Sequence, residues 1–236
     1  IKIHKEDITK IRDTKYFKRL VFDEIFANFL LSSDIRNKIK KIKKKNKVFN
    51  SKHQSTIINN LKFNLTIDQT KALEKINNDM KSKQKMFRLL QGDVGSGKTI
   101  VSVIAALNAV KAGYQVAIMA PTEILANQHY KYIINNFKKY CNSEILTGKT
   151  EYRQRKKILN DLLNKKIDVL IGTHALFQNK ITYNNLGLII IDEQHKFGVN
   201  QRKKLSDKGG DNCDVLVMSA TPIPRTMMMT IYGDMD

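Results

Sequence analysis

Two short stretches combine residue types and spacings that can do chemistry. The first is GDVGSGKT, residues 92–99. It fits G-x-x-x-x-G-K-[ST] in full. Gly92, Gly95 and Gly97 let backbone N–H groups approach phosphate oxygens without a Cβ in the way, and Asp93, Val94 and Ser96 complete the cradle. Such a loop opens onto a helix N-terminus, which adds partial positive charge. Lys98 is placed to neutralise β- and γ-phosphates, and the Thr99 hydroxyl to hold Mg²⁺. The competing reading is a chance glycine turn, against which strand, loop and helix follow in the required order. The second stretch is IIIDEQH, residues 189–195. Three isoleucines run straight into two acids. A nucleotide-bound Mg²⁺ needs a carboxylate, usually through water, and hydrolysis needs a second one to orient or deprotonate the attacking water. Asp192 suits the first role and Glu193 the second. The bland reading is an acid pair opening a helix.

The elements that must position these residues alternate from residue 86 onward. MFRLLQ, YQVAIMA, SEILTG, IDVLIGTH, NLGLIIIDE and DVLVMSAT read as short apolar strands. Between them IVSVIAALNAVKAG, PTEILANQHYKYIINNFKKY and EYRQRKKILNDLLNKK read as helices, the first stopped at Gly113. This alternation predicts an α/β fold, a mostly parallel sheet with helices on both faces. The prolines at 121, 222 and 224 fall just past strand ends, where ligands of such sheets bind. Further upstream, LTIDQTKALEKINNDMKSK reads as a helix capped by Thr66. Residues 14–31 show Phe17, Leu20, Val21, Ile25, Phe26, Phe29 and Leu30 at helical spacing, an amphipathic helix that docks on something. The polar text of 46–62 reads as a linker. Residues 1–60 are thus expected to be a basic, helical connector and 61–236 the main domain.

Composition narrows the classes. The chain has 236 residues, is 42% hydrophobic and carries a formal net charge of +20. Residues 1–62 hold 17 basic and 6 acidic side chains, so the excess is concentrated there. RNKIKKIKKKNK, residues 36–47, is the densest run. It reads either as a contact to a phosphate backbone or as a solvated helix face. No apolar run is long enough to span a membrane, and the N-terminus has no apolar core of a signal peptide. Cys141 and Cys213 form no C-x-x-C pair, which argues against zinc and disulfides and for the cytoplasm. The chain opens without Met and stops at IYGDMD, so it reads as a piece of a longer protein.

LLQGDVGSGKT, MAPTEILANQH, VLIGTHALF, LGLIIIDEQHKFGVNQR and VLVMSATPIPRTMMMTIYGDMD together resemble the RecG family of branched-DNA helicases, within the superfamily 2 nucleic-acid motors. The resemblance runs over 63–236 in the family's order. Transcription–repair coupling factors and primosomal helicases share parts of it; Ser96 and Gln194 favour RecG, and Lys196 stands where the family often has Arg. The resemblance implies a RecA-like P-loop domain, the first of two, that uses ATP and Mg²⁺ and acts on branched, single-stranded or double-stranded DNA. It implies that Lys98, Asp192 and Glu193 are catalytic, with Thr99 and, through water, Asp192 serving the metal. Gln69 would read the adenine edge and Phe63 pack on the ring; from the residues alone Gln69 is equally a surface helix residue. Pro121, Thr122 and Glu123, Gly148 and Lys149, and Thr173 and His174 resemble loops that track a DNA strand, although His174 is equally a satisfied loop histidine. His195, Ser219 and Thr221 would couple nucleotide state to domain closure. Arg225 would meet DNA or another domain. A second RecA-like domain, which normally supplies an arginine finger, and a fork-splitting wedge domain are the implied partners. Two other classes remain: a P-loop ATPase that moves something other than DNA, and a basic binding module with a dead site.

Overall fold

The structure is a computed structural model. It describes residues 16–27, 43–177, 181–192 and 210–220. Two compact units divide the chain, Ile1–Lys41 with Ile223–Met235, and Ile42–Pro222 with Asp236. In the first unit, helix α1 covers residues 16–27, inside the span that sequence periodicity predicts. Phe22 and Phe26 stack one turn apart, and Arg19 pairs with Asp23 at 3.0 Å on the same helix.

The second unit is an α/β domain built in the expected alternation. Its elements are α2 (Ser51–Asn59), α3 (Ile67–Lys81), β1 (Phe87–Gln91), α4 (Lys98–Lys111), β2 (Gln115–Met119), α5 (Glu123–Phe137), β3 (Ser143–Leu146), α6 (Tyr152–Leu163), β4 (Val169–Gly172), β5 (Leu186–Ile191) and β6 (Asp214–Ser219). Among the described residues the strands form one sheet in the order β1-β6-β5-β2-β4-β3, with every neighbouring pair parallel.

With right-handed crossovers, that order decides which face of the sheet each helix covers. The chain steps outward from β1 through α4 to β2, and through α5 to β3. It then steps back through α6 to β4, and on to β5 and β6. Outward and returning crossovers of one hand must cover opposite faces. The core bears this out. Val116, Ile118, Ile171, Leu188, Ile190, Leu216 and Met218 pack with Ile100, Ile104 and Leu107 of α4 and with Ile133 and Phe137 of α5 in a single cluster. The alternate strand residues, among them Met119, Leu170, Ile189, Ile191 and Val217, are just as buried on the other face, as are Ile158 and Leu162 of α6. Strands buried on both faces are what the continuous apolar runs foretell.

Local signals set the element ends. Thr66 caps α3, accepting from Gln69 N at 3.2 Å while the Gln69 side chain accepts from Thr66 N at 3.0 Å. Gly113, with φ +86°, follows the last turn of α4 as expected.

Upstream of α3 the structure departs from the sequence reading. The stretch read as a polar linker contains α2, capped by Asn50, with Ile57 fully buried. Gln54 of α2 accepts from Asn77 of α3 at 2.7 Å and from Asn108 of α4 at 2.8 Å. Residues 43–59 therefore pack as part of the sheet domain. Neither reading of the basic run holds at Lys44 and Lys47. Both ammonium groups are fully buried and converge on Asp214, at 2.6 and 2.7 Å, at the amino end of β6. Lys44 also donates to the carbonyl oxygens of Asp79 and Met80, and Lys47 to that of Asn212. Asp214 in turn accepts from the Met86 N–H at 2.8 Å, just before β1. Burial pushes the Lys44 ammonium below its ordinary pKa, with Asp214 pulling the other way. Nearby, burial raises the Cys213 thiol to about 12, so it is an inert packing group.

Removing one partner of a buried ion cluster leaves the others uncompensated, at a cost of about 3–5 kcal/mol. Asp214→Ala is therefore expected to lower the urea midpoint by an amount worth about 3 kcal/mol or more. A loss below about 1 kcal/mol would show that water reaches the two ammonium groups.

Candidate active site

In an all-parallel sheet every strand delivers its following loop to the same edge. Here that edge collects the segments after Gln91, Met119, Leu146, Gly172, Ile191 and Ser219. Strand order then sorts them. GDVGSGKT follows β1, Ser219 closes β6 and Asp192 follows β5, on three adjacent strands. The APTE, LTGK and GTH segments follow β2, β3 and β4, the other three. The tips of β1 and β5 lie two strand spacings apart, about 9.5 Å. Ser219 sits between them, fully buried, and its carbonyl accepts from Gly92 N–H at 3.3 Å.

The loop 92–97 turns sharply into α4. Gly95 and Gly97 both have φ of +82°, a region that favours glycine. Gly97 caps α4 without any side-chain bond. A Cβ there would strike the Gln69 amide. That amide donates to the Ser96 carbonyl at 2.8 Å. Gln69, expected to read an adenine edge, here ties the capped end of α3 to the loop backbone through that amide. Lys98 curls over the loop and donates to the carbonyls of Gly92 and Asp93, at 2.5 and 2.8 Å. Val94 is almost fully exposed and Phe63 half-exposed.

Asp192 extends β5, its N–H donating to Met119 O at 2.8 Å. Its Oδ2 lies 2.7 Å from Nε2 of His129, on α5. Thr99, in the first turn of α4, and Asp192 offer only hard oxygen ligands, which suits Mg²⁺.

Across the other half of the edge, Thr122 caps α5, accepting from Leu125 N at 3.2 Å. Glu123 lies 3.4 Å from the Lys149 ammonium, which joins the loops after β2 and β3. Expected phosphate donors in the 147–150 turn are partly spent: Thr147 N–H donates to Thr150 Oγ1 and Lys149 N–H to Thr147 Oγ1. Thr173 is buried at the tip of β4, and His174 opens a short 3₁₀ turn, His174–Phe177. Pro121 and Gly148 stand at the same edge. Glu193, His195, Thr221 and Arg225 lie outside the described residues. Sequence reasoning gave His129 no role. Its signal was an imidazole on the stripe Ala126, His129, Ile133, Phe137, which faces the core.

Comparisons with known proteins agree with this geometry. The DEAD/DEAH box helicase family matches residues 66–230. The ATP-dependent DNA helicase RecG of Aquifex aeolicus (strain VF5) is 48% identical over 94% of this chain, and the match spans 28% of that relative's length. RecG of Staphylococcus aureus (strain MRSA252) is 43% identical over 98% of this chain and 33% of its own length. A solved structure of RecG bound to a three-way DNA junction superposes with a TM-score of 0.80 at 45% identity, over 92% of this chain and 29% of that one. The UvsW helicase from bacteriophage T4, 14% identical with a TM-score of 0.56 over 81% of this chain and 69% of its own, shares the fold. The chain therefore spans about a third or less of the RecG proteins it matches. It belongs to the DEAD/DEAH box helicase family, within which it is similar to the RecG helicases over nearly its whole length.

Proposed function

We propose that this chain is the nucleotide-binding half of a RecG-type, ATP-dependent DNA helicase, the first of two RecA-like motor domains, that remodels branched DNA in recombination and repair in the cytoplasm. The observation that carries the reading is the sorting of one sheet edge. The phosphate loop, Ser219 and Asp192 share three adjacent strand tips, and the APTE, LTGK and GTH segments share the other three. A motor needs this adjacency, since nucleotide state has to be felt by the groups that grip DNA.

Each side chain then has a task. Backbone N–H groups of residues 92–97 and the start of α4 hold the phosphates. Lys98 exchanges its two loop carbonyls for β- and γ-phosphate oxygens. Gln69 keeps the loop in shape from behind, and Phe63 and Val94 offer apolar surface to the base. Thr99 and Asp192 would hold Mg²⁺, which would supply charge neutralisation to the phosphates when bound. Glu193 orients the attacking water. His195, Ser219 and Thr221 relay the change to a second motor domain, whose arginine completes the site, and Pro121, Thr122, Glu123, Gly148, Lys149, Thr173 and His174 follow a DNA strand. The basic segment ahead of residue 43 joins this half to a wedge domain. Arginine supplied from outside raises turnover by roughly 10³–10⁵ in related P-loop enzymes. Nucleotide binding without appreciable hydrolysis or unwinding is therefore expected of these 236 residues alone.

Two measurements check this. Titration with a fluorescent ATP analogue and Mg²⁺ at low salt is expected to show binding that Lys98→Ala weakens at least tenfold, about 1.4 kcal/mol. Phosphate release is expected to stay near background with or without a branched DNA. DNA-stimulated turnover that Lys98→Ala abolishes would show that one domain suffices, and binding that ignores Lys98 would discard the nucleotide site. The second concerns the loop itself. Gly97→Ala forces a side chain into a left-handed φ and displaces the Gln69 amide, for a loss of roughly 1–2 kcal/mol in chemical denaturation. In a double-mutant cycle with Gln69→Ala the two losses are expected to sum to more than the loss of the double variant, because both remove the same bond to Ser96.

A further inference from the structure

His129 lies on the face of α5 that packs toward the sheet, flanked along the helix by buried Ala126, Ile133 and Phe137. At such a position an aliphatic side chain packs at no polar cost, whereas a buried imidazole must find partners. The partner here is the acid at the tip of β5. Nε2 sits 2.7 Å from Asp192 Oδ2, with the two side chains only 10% and 14% exposed. An ionised carboxylate can only accept, so Nε2 is the donor. The ring is also firmly carried. α5 is capped at Thr122 and anchored by three buried side chains, and His129 stands about two turns from the cap.

The contact crosses the division of the sheet edge. Asp192 ends β5, in the half with the phosphate loop. His129 belongs to the helix that follows β2, in the half with the strand-tracking segments.

We propose that His129 is a positioning residue for the metal site. It engages one oxygen of Asp192 and so fixes the plane of the carboxylate, leaving Oδ1 to face the Mg²⁺ shell. Outer partners of this kind orient metal-holding groups, and their loss typically costs 10–100-fold in metal affinity or activity. The inference rests on the nucleotide-binding reading given above.

The test uses two variants. His129→Leu fills the apolar stripe and removes the donor, and His129→Gln keeps an N–H near the position of Nε2. The readout is Mn²⁺ affinity in the ADP complex, followed by electron paramagnetic resonance at one fixed pH, beside ADP affinity without metal and the melting temperature. His129→Leu is expected to weaken Mn²⁺ binding about tenfold, to leave metal-free ADP binding unchanged, and to keep or raise the melting temperature. His129→Gln is expected to restore most of the Mn²⁺ affinity. Parental Mn²⁺ affinity in His129→Leu overturns the inference, because the carboxylate then holds its place unaided. Equal Mn²⁺ losses in both variants, in step with a lowered melting temperature, overturn it too, since the ring then serves packing alone. A parent protein whose ADP binding does not depend on Lys98 fails the functional reading itself, and the inference with it.

Discussion

Everything at the candidate site depends on one constraint: parallel strands with crossovers of a single hand. A parallel strand is entered at one edge of the sheet and left at the other. Loops that follow strands therefore share an edge whatever their separation in sequence. The return of the chain through β5 and β6 then inserts both strands between β1 and β2. That insertion puts Ser219 between the phosphate loop and Asp192, with the Gly92 N–H bonded to its carbonyl. Had β6 added at the outer edge of β1, Asp192 would sit one strand closer and no element would lie between the two groups. Ser219 thus stands on the middle strand, bonded to the phosphate loop on one side and beside the strand that bears Asp192 on the other.

The opposite edge has a different task. Asp214 opens β6 where Ser219 closes it. One strand thus bears the buried ion cluster at its amino end and Ser219, bonded to the phosphate loop, at its carboxyl end. Lys44 and Lys47 reach Asp214 from the extended segment that enters the domain, and Met86 N–H reaches it from the residue before β1. Buried ions are costly to desolvate and are tolerated only when fully bonded. Here each ammonium has carbonyl partners besides the carboxylate. The cluster fixes where the connector joins the sheet and anchors β1 beside β6 from below, so the phosphate loop starts from a fixed base.

These two edges differ in how far the sequence shows them. Six runs bounded by turn residues each became a strand; the four inner ones, β2, β4, β5 and β6, are buried on both faces, which demands continuous apolar text. Thr66 with Gln69, and Gly113, marked helix ends through backbone chemistry that acts locally. The P-loop and the acid pair were legible as motifs, and the parallel alternation put them at one edge. What failed was long-range or atypical. Helix α2 offers one fully buried residue, Ile57, and stands on amide contacts from Gln54 to Asn77 and Asn108 that no local pattern announces. Lys44 and Lys47 read as either solvated or phosphate-facing because lysine is ordinarily exposed, and the acid that takes them lies about 170 positions away. His129 was visible as a ring on an apolar stripe. Its partner could not be read without knowing that β5 lies beside β2.

The buried lysines also change what the charge of +20 means. Net charge argues for a polyanionic partner only through side chains that can reach it. Lys44 and Lys47 cannot: each would have to leave Asp214 and its carbonyl partners unpaired, at several kcal/mol. Lys149 is the opposite case. Its side chain is 87% exposed and its one recorded ion pair, to Glu123, spans 3.4 Å. Exposed pairs of that kind are worth about 0–1 kcal/mol, so a phosphate can replace Glu123 at little cost. The freed carboxylate then faces the same phosphate and opposes a second anion there. On the proposed reading, a basic side chain beside an acidic one at the edge of the sheet would take one phosphate at a time and release it readily.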